Sequence, residues 1–276
     1  MSALVLKAPA KVNWFLRVLR QRADGYHDIQ SLVQQVTLAD TLSFEEASGL
    51  EVLADAPIPT EENLVYRAAS LLRAYTRCAR GARITLSKDI PLSAGLGGGS
   101  SDAAAALKGL TALWQVEVTA PELAMLAASL GSDVPFFLGS PAALVEGRGE
   151  RVGAVRVRRS WVLVLVKPDF GVSAGWAYQN LTSCSAATDP EEAVRDLERG
   201  EFVSPEVFAN DLEGPVFKRY AEVSRLKERL GEEGALLTLM SGSGPTVFGV
   251  FSDRARAERA AAGFAPLWSA VVRTVL

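Results

Sequence analysis

The chain has 276 residues and a mass of 29.4 kDa, which is enough for two modest domains or one large one. Its net charge of -3 and pI near 5.5 provide no broad basic surface for nucleic acid or an anionic membrane. Two separated cysteines and one histidine argue against a structural zinc site. The sequence shows neither a signal-peptide pattern nor a membrane-length apolar run, so we expect a cytoplasmic protein without nucleic-acid or membrane partners.

The first half of the chain mixes strand and helix patterns. Residues 2–19 alternate around Pro9 and predict two short strands with a bend at Ala8–Ala10. Residues 32–38 and 41–46 predict two further strands, with Ala39-Asp40 as the turn of a hairpin. Helical spacing then predicts a helix that begins after Asn63, and a short strand is expected at 83–86. Two further helices are predicted, at 102–114 and from Thr119 to Gly131.

The second half begins after a short strand at 142–146, and the polar segment after Gly147 predicts a domain boundary at 152–153. An apolar strand is expected at 161–167. Beyond it we predict helices near 190–199, 205–212, 216–230 and 253–263, and strands at 235–240, 245–251 and 269–275. This split βαβ order indicates a ferredoxin-like α+β sandwich for residues 153–276.

A glycine-rich segment between strand and helix is the strongest chemical signal. It reads Pro-Leu-Ser-Ala-Gly-Leu-Gly-Gly-Gly-Ser-Ser-Asp over residues 91–102. Glycines permit close approach of the backbone to a ligand, and the N–H groups at a helix start favour an anion. Ser100 and Ser101 can cap the helix or offer hydroxyl groups to phosphate. A flexible connector is the plain alternative, but four glycines, paired serines and a helix start are typical of an anion nest.

Two better-known nucleotide motifs do not fit this segment. A Walker A loop requires Gly-Lys-Ser/Thr, and the segment contains no lysine. The spacing of Gly95, Gly97 and Gly99 also differs from the dinucleotide-binding fingerprint.

Three other segments carry weaker signals when each is taken alone. Lys11 could be a solvated strand lysine, His27 a structural histidine and Tyr26 a half-buried aromatic. Asp133 follows a helix end and precedes Val-Pro-Phe-Phe, so it is either a turn aspartate or a positioned carboxylate. Residues 241–246, Ser-Gly-Ser-Gly-Pro-Thr, would serve equally well as a hairpin loop.

Together, in this order, the four segments resemble the motifs of the GHMP kinases. The matching runs are Ala-Pro-Ala-Lys-Val-Asn at 8–13, Gly-Leu-Gly-Gly-Gly-Ser-Ser-Asp-Ala at 95–103, Gly-Ser-Asp-Val-Pro at 131–135 and Ser-Gly-Ser-Gly-Pro-Thr-Val-Phe at 241–248. Two extra glycines and the Gly-Tyr-His run at 25–27 resemble one branch of that family, which acts on a cytidine diphosphate-linked methylerythritol. The matches span residues 8 to 248, nearly the whole chain.

The resemblance implies an α+β GHMP kinase fold: a ribosomal-protein-S5-domain-2-like N-terminal unit (1–152) and a ferredoxin-like C-terminal unit (153–276), with the active site in the cleft between them. It implies ATP-dependent phosphorylation of the 2-hydroxyl of 4-diphosphocytidyl-2-C-methyl-D-erythritol, on the non-mevalonate route to isoprenoid precursors. ATP is the expected co-substrate and Mg²⁺ is expected with it. The family's metal ligands are not evident in the sequence, and either a monomer or a homodimer is expected.

The resemblance also implies roles for individual residues. Asp133 would accept the proton of the attacking hydroxyl, and Lys11 would stabilise charge beside it. The ATP-binding residues would be Lys88 and Asn63 near the adenine, with Pro91, Ala94, Gly95, Leu96, Gly97, Gly98, Gly99, Ser100 and Ser101 at the phosphates. The glycine motif Gly242, Ser243 and Gly244 would close over the phosphate site.

The substrate's cytosine would be stacked between Tyr26 and a second aromatic, with polar contacts from His27. Tyr178 is the candidate for that second ring and Trp176 is its rival. Asn13 would hold the substrate near Lys11. Two alternatives stay open from sequence: another GHMP kinase, such as homoserine or mevalonate kinase, and a non-catalytic nucleotide- or RNA-binding protein.

Overall fold

The computed structural model describes residues 4–200, 202 and 206–276. The chain forms two compact units, each assembled from separate segments. Unit 1 comprises the described residues up to Ala10, together with Leu38–Pro91 and Gly97–Ser140. Unit 2 comprises Lys11–Thr37, Leu92–Leu96 and the described residues of Pro141–Leu276. The predicted contiguous domains, 1–152 and 153–276, stay a prediction.

Two long strands replace the shorter strands predicted at the start of the chain. Strand β1 runs through Leu4–Gln21, so the predicted bend at Ala8–Ala10 is wrong; residues 2–3 of that prediction lie outside the described residues. Pro9 is accommodated because β1 pairs with β2 alone among the named strands, and an edge strand tolerates a missing N–H donor. Strand β2 runs through His27–Ala47, so the predicted hairpin at Ala39-Asp40 is also wrong.

Buried hydrogen bonds explain why Asp40 lies inside a strand. Its carboxylate is fully buried and accepts hydrogen bonds from the backbone N–H groups of Asp89 and Ile90, at 2.7 and 2.8 Å. A polar residue in a strand usually marks a turn, but here tertiary partners about fifty positions away satisfy it.

Unit 1 contains a sheet and three helices. Strand β3 (Leu50–Ala54), which was not predicted, pairs parallel with β4 (Gly81–Ser87), and β4 pairs antiparallel with Thr41–Ala47 of β2. Helix α1 (Leu64–Thr76) packs against α2 (Gly98–Trp114) and α3 (Ala120–Leu130). A 3-10 helix (Pro135–Leu138) follows α3.

Helix caps confirm two of the predicted boundaries in unit 1. Asn63 caps α1 through its side chain, which accepts from the Val65 N–H at 2.9 Å. Thr119 and Glu122 form a reciprocal capping box at the start of α3, which ends at Gly131. Helix α2 begins at Gly98, four residues before the predicted start at Asp102. The segment Gly98–Ser101 is therefore the first turn of a helix and not a preceding loop.

Unit 2 contains two sets of hydrogen-bonded strands. Residues 29–34 of β2 pair with β5 (Ala142–Gly147), which pairs with the unpredicted strand β6 (Arg151–Ala154). A second sheet has the order β10-β7-β9-β8, formed by Trp268–Arg273, Val162–Lys167, Val247–Phe251 and Leu237–Met240. Numbered along the chain, that order is 4-1-3-2, the ferredoxin-like arrangement expected from sequence.

The helices of unit 2 agree with the predictions only in part. Helices α5 (Pro190–Arg199) and α8 (Arg254–Ala262) lie where expected, whereas α4 (Ala174–Gln179) was not predicted. The helix predicted at 216–230 is two helices, α6 (Glu213–Arg219) and α7 (Ala221–Glu232), because Tyr220 leaves the helical region with φ -122° and ψ 71°.

The helix predicted at 205–212 is wrong over its described part, 206–212, and residue 205 lies outside the described residues. Asn210 forms an isolated bridge with Leu16 instead, and its side chain binds backbone groups elsewhere in unit 2. The buried residues Val207, Phe208 and Leu212 imitate helical spacing without forming a helix.

Candidate active site

The glycine-rich segment folds tightly against two other parts of unit 2. Ala94 and Leu96 are buried; the Ala94 carbonyl accepts from the Thr246 N–H at 3.3 Å and the Leu96 carbonyl accepts from the Lys11 N–H at 2.9 Å. Gly95 lies between them with φ 74°, in the left-handed region that favours glycine. A Cβ at Gly95 would collide with the Ser241 carbonyl oxygen and approach the Gly244 backbone at 2.8 Å.

The first turn of α2, Gly98–Ser101, is named here the cradle. Gly97 precedes it with φ 72°, and no side chain caps the helix start. The first N–H groups of an α-helix have no partner within the helix, so the cradle presents donors and a positive dipole end to an anion. Ser101 Oγ is buried and has no hydrogen-bond partner among the described residues. The cradle therefore has the donor set that a phosphate group requires.

Lys11 and Asn13 lie side by side in unit 2 and are both buried. Lys11 Nζ donates to Asn13 Oδ1 at 2.6 Å, and Asn13 Nδ2 donates to Ser31 Oγ at 2.8 Å. A Cβ on Gly242 would lie 2.9 Å from Lys11 Nζ, so the backbone there passes directly over the ammonium. Strand β1 thus presents a fixed lysine beside the Ser241–Gly244 segment, named here the C-terminal glycine loop.

Asn210 holds the C-terminal glycine loop in place, a role that was not predicted from the sequence. Its Nδ2 donates to the carbonyl oxygens of Met240 and Gly242 at 2.8 and 2.7 Å, while its Oδ1 accepts from the Leu212 N–H at 3.0 Å. Glu213 supports the same loop by accepting from the Met240 N–H at 2.9 Å. The polar run Asn-Asp-Leu-Glu at 210–213 was the available signal, but an assumed helix obscured it.

Asp133 lies in unit 1, in the turn between α3 and the 3-10 helix. The Val134 N–H donates to the Gly131 carbonyl at 3.2 Å, which closes the turn around Asp133. A Cβ on Gly131 would lie 4.0 Å from Ser100 Oγ, so this turn borders the cradle within unit 1. Lys11 belongs to unit 2, and the pairing of Lys11 with Asp133 stays a prediction.

The residues predicted to bind cytosine form a partly stacked group in unit 2. The rings of His27 and Tyr178 are stacked, with centroids 5.4 Å apart and planes inclined by 25°. Tyr26 is 54% exposed, and the Arg148 guanidinium lies 5.0 Å from its ring centroid. Trp176 instead packs edge-on against Tyr220, with centroids 5.6 Å apart. This placement favours Tyr178 over Trp176 as a partner of the histidine.

Lys88 and Asn63, predicted to lie near adenine, are both engaged by protein groups. The Lys88 ammonium donates to Asp40 Oδ2 and, at 2.7 Å, to Asp102 Oδ2. Burial acts to lower the pKa of Lys88, but the adjoining carboxylates of Asp102 and Asp40 outweigh it and raise that pKa. Burial raises the pKa of Asp102 to about 7, against the opposing influence of Lys88. Contact of Lys88 or Asn63 with adenine stays a prediction.

The described residues contain no group of three or more histidine, cysteine, aspartate or glutamate side chains suited to a metal ion. Magnesium in kinases is commonly held by one or two carboxylates together with the nucleotide phosphates. The expected Mg²⁺ stays a prediction. None of the described helices has the length and apolar character needed to cross a membrane.

Comparison with known proteins identifies the family. The model of the GHMP kinases N terminal domain matches residues 63–140, and the GHMP kinases C terminal model matches residues 189–266. The chain belongs to the GHMP kinase family. The expected family, fold class and enzyme class, a kinase, are thereby confirmed, and a kinase of this family takes ATP as co-substrate.

Individual relatives are similar over nearly their whole length. A 4-diphosphocytidyl-2-C-methyl-D-erythritol kinase of Thermodesulfovibrio yellowstonii is 43% identical and covers 99% of this chain and 98% of its own. The enzyme of that name from Pelotomaculum thermopropionicum is 44% identical, over 93% and 92%. A crystal structure of 4-(cytidine 5'-diphospho)-2C-methyl-D-erythritol kinase matches with a TM-score of 0.88 and 36% identity, over 98% and 99%. Homoserine kinase from Cytophaga hutchinsonii, at 17% identity and a TM-score of 0.73 over 100% and 95%, shares the fold.

Proposed function

We propose that this GHMP kinase transfers the γ-phosphoryl group of ATP to the 2-hydroxyl of 4-diphosphocytidyl-2-C-methyl-D-erythritol, giving the 2-phosphate and ADP. Relatives that carry this substrate in their name are more than 40% identical over almost the whole chain. The observation that carries the choice of substrate is the stacked pair of His27 and Tyr178. An aromatic platform suits a pyrimidine base, whereas homoserine and mevalonate contain no ring to stack.

The proposed ATP site is built on the glycine-rich segment. The N–H groups of the cradle would bind the phosphates, and the buried hydroxyl of Ser101 supports this because it has no other partner among the described residues. Magnesium that enters with ATP would neutralise phosphate charge. Gly95 and the C-terminal glycine loop are already in mutual contact, which supports a fixed position for that loop.

Asp133 is proposed to accept the proton of the substrate hydroxyl as that oxygen attacks phosphorus. Its turn borders the cradle in unit 1, which supports a place close to the transferred group. Lys11 would stabilise negative charge on that group, and its hydrogen bond to Asn13 supports a fixed direction for the ammonium. Both roles fit phosphoryl transfer, which depends mainly on positioning and charge stabilisation.

Cytosine would be held by Tyr26, His27 and Tyr178. The cation–π contact of Arg148 with Tyr26 supports an ordered ring despite its exposure. Stacking tolerates any base, so the preference for cytosine would come from hydrogen bonds, including those of His27. A cytoplasmic location, a monomeric or homodimeric state and the absence of a nucleic-acid partner stay predictions.

The proposal is tested by comparing three alcohols as acceptors. The purified protein is incubated with MgATP and either the cytidine diphosphate-linked methylerythritol, homoserine or mevalonate, and phosphorus NMR identifies any new phosphate monoester. We expect kcat/KM for the cytidylyl substrate to exceed the others by on the order of 10⁴, because a site with buried polar groups rejects ligands that leave them unpaired. Comparable turnover of homoserine or mevalonate would show that the assigned substrate is wrong.

A further inference from the structure

Two buried carboxylates share one buried ammonium in unit 1. Lys88 Nζ lies between Asp40 and Asp102, and the side chains of these three residues are 6%, 0% and 3% exposed. Lys88 comes from the segment after β4, Asp40 from β2 and Asp102 from α2; these are the charged groups that face one another here. With every group ionised, the cluster would carry one uncompensated negative charge away from water, which is costly.

The hydrogen bonds of the cluster identify the carboxyl group that can hold a proton. Asp40 accepts from three donors: Lys88 Nζ and the backbone N–H groups of Asp89 and Ile90. Asp102 accepts from Lys88 Nζ at 2.7 Å, and its Oδ1 is buried without a hydrogen-bond partner among the described residues. A carboxylate with several donors stays ionised, whereas a buried one with few donors binds a proton more readily. The proton therefore belongs on Asp102.

The cluster lies directly behind the cradle. A Cβ on Gly98, the first residue of α2, would be 3.3 Å from Lys88 Nζ, and Asp102 follows Ser101 in the same helix. The negative charge of an ionised Asp102 would therefore reduce the positive potential that the N-terminus of α2 presents to an anion. A nucleotide's phosphates would in turn disfavour the ionised carboxylate, because like charges at short range raise the affinity for a proton.

We propose that binding of ATP to the cradle is coupled to uptake of a proton by Asp102, with Lys88 and Asp40 as the groups that make this carboxyl sensitive to the ligand's charge. The proposal rests on the proposed function only in taking the cradle as the ATP site. Asp102 is a positioning and electrostatic residue in this scheme and touches no reacting atom. Its pKa near 7 in the absence of ligand sets the range in which the coupling is visible.

Linkage gives the direction and size of the effect. Below about pH 6 Asp102 is already protonated and ATP binds without proton uptake. Above about pH 7 the free protein has lost the proton, so binding must recover it, and the apparent Kd rises by up to about tenfold per pH unit. Asp102→Asn resembles the protonated acid in shape and charge, so its Kd should not follow this rise.

The experiment is calorimetric titration of the whole chain with the magnesium complex of adenylyl imidodiphosphate. At pH 8, buffers of different ionisation enthalpy report the protons bound per ligand. We expect wild type to take up at least about 0.5 protons more per bound ligand than Asp102→Asn; taking this difference removes the nucleotide's own protonation. Asp55→Asn is the matched control, because exposed Asp55 accepts from the Lys88 N–H at 2.9 Å but does not share its ammonium. It should keep the wild-type proton number.

Asp40→Asn provides a second route if Asp102→Asn does not fold. It leaves one carboxylate for one ammonium, so Asp102 becomes ionised in a neutral pair and proton uptake should fall. Equal proton uptake by wild type and a folded Asp102→Asn or Asp40→Asn variant would overturn the coupling while leaving the ATP site intact. Failure of the wild type to bind the analogue at any pH would overturn the ATP site of the proposed function as well.

Discussion

His27 and Tyr178 stack ring on ring, with centroids 5.4 Å apart and planes 25° from parallel, although 151 positions separate them in the chain (178 − 27). His27 is the chain's single histidine and begins β2, whereas Tyr178 lies in the short helix α4. The contact fixes the plane of the tyrosine ring. A planar base can then be recognised without first ordering that ring, which lowers the entropic cost of binding.

Replacing Tyr178 with alanine should weaken binding of the cytidylyl substrate. Loss of a base–aromatic stack typically costs about 1–3 kcal/mol, so KM for that substrate should rise roughly 5- to 150-fold while KM for ATP is unchanged. Steady-state kinetics with each substrate varied in turn measures both constants. Tyr178→Phe keeps the ring and should remain close to wild type. A larger rise of KM in Trp176→Ala than in Tyr178→Ala would transfer the role to Trp176.

Asp133→Asn should abolish most of the turnover without affecting nucleotide binding. A positioned general base typically contributes 10²–10⁴-fold, so kcat should fall by about that factor. Single-turnover rates and calorimetric titration with an ATP analogue separate chemistry from binding. Ser132→Ala is the matched control, since Ser132 is exposed in the same turn and should retain wild-type rates. Near-normal turnover by Asp133→Asn would remove Asp133 from the mechanism.

Gly95→Ala should damage the ATP site through the backbone alone. The residue has φ 74°, and a Cβ there would meet the Ser241 carbonyl and approach the Gly244 oxygen and nitrogen at 2.8 and 2.9 Å. Strain of this kind costs about 1–3 kcal/mol or displaces the loop, so kcat/KM for ATP should fall at least about tenfold. Gly214→Ala is the control, because its Cβ would meet nothing within 4 Å. Unchanged kinetics in Gly95→Ala would show that the contact with Ser241 is dispensable.

Local signals in the sequence were sufficient for elements whose partners are close in the chain. The cap of α1 by Asn63 and the Thr119–Glu122 capping box both involve neighbours within three residues, and both helix starts were predicted correctly. The alternating and apolar runs of 153–276 likewise predicted the ferredoxin-like sheet, because strand order follows from the order of elements.

Signals that depend on distant partners were misinterpreted. Asp40 was expected in a turn because its partners, Lys88 and the Ile90 N–H, lie about fifty positions away. Asn210 was placed in a helix because the carbonyl groups that it binds, in Met240 and Gly242, follow thirty positions later. Both are buried polar residues whose structural role is invisible until the fold brings their partners to them.

Asn210→Asp should disturb the C-terminal glycine loop more than a similar change elsewhere. The aspartate keeps the acceptor for the Leu212 N–H but places an oxygen where Nδ2 donates to the carbonyls of Met240 and Gly242. Two buried acceptors would lose their donor, at about 1–3 kcal/mol each at most.

Urea denaturation should therefore show a clear loss of unfolding free energy, and kcat should fall together with it. Asn180→Asp makes the same chemical change at an exposed amide that donates to the Trp176 carbonyl. That control should stay within about 0.5 kcal/mol of wild type. Equal effects of the two substitutions would show that the side-chain hydrogen bonds of Asn210 stabilise the protein no more than the hydrogen bond of Asn180 does.

Asp102→Asn should change how stability depends on pH, even without a ligand. Burial raises the pKa of Asp102 to about 7, against an ordinary value of 3.8. Between these values the folded chain holds a proton that the unfolded chain has released, so the contribution of the protonated acid is complete below about pH 4 and is lost as pH rises toward 7. The asparagine carries no such proton.

Unfolding free energies of wild type and Asp102→Asn, measured in urea at intervals from about pH 4.5 to 8.5, should therefore diverge. The advantage of wild type should decline by up to about 1.4 kcal/mol per pH unit through the window and level off above pH 7. The difference in unfolding free energy between wild type and Asp55→Asn should show no such slope in this window, because hydrogen bonds from Ser87 and the Lys88 N–H lower the pKa of the exposed Asp55 carboxyl. Parallel curves for wild type and Asp102→Asn would mean that Asp102 stays ionised throughout. The two curves differ in slope only where the folded chain binds a proton at Asp102 that the unfolded chain has released.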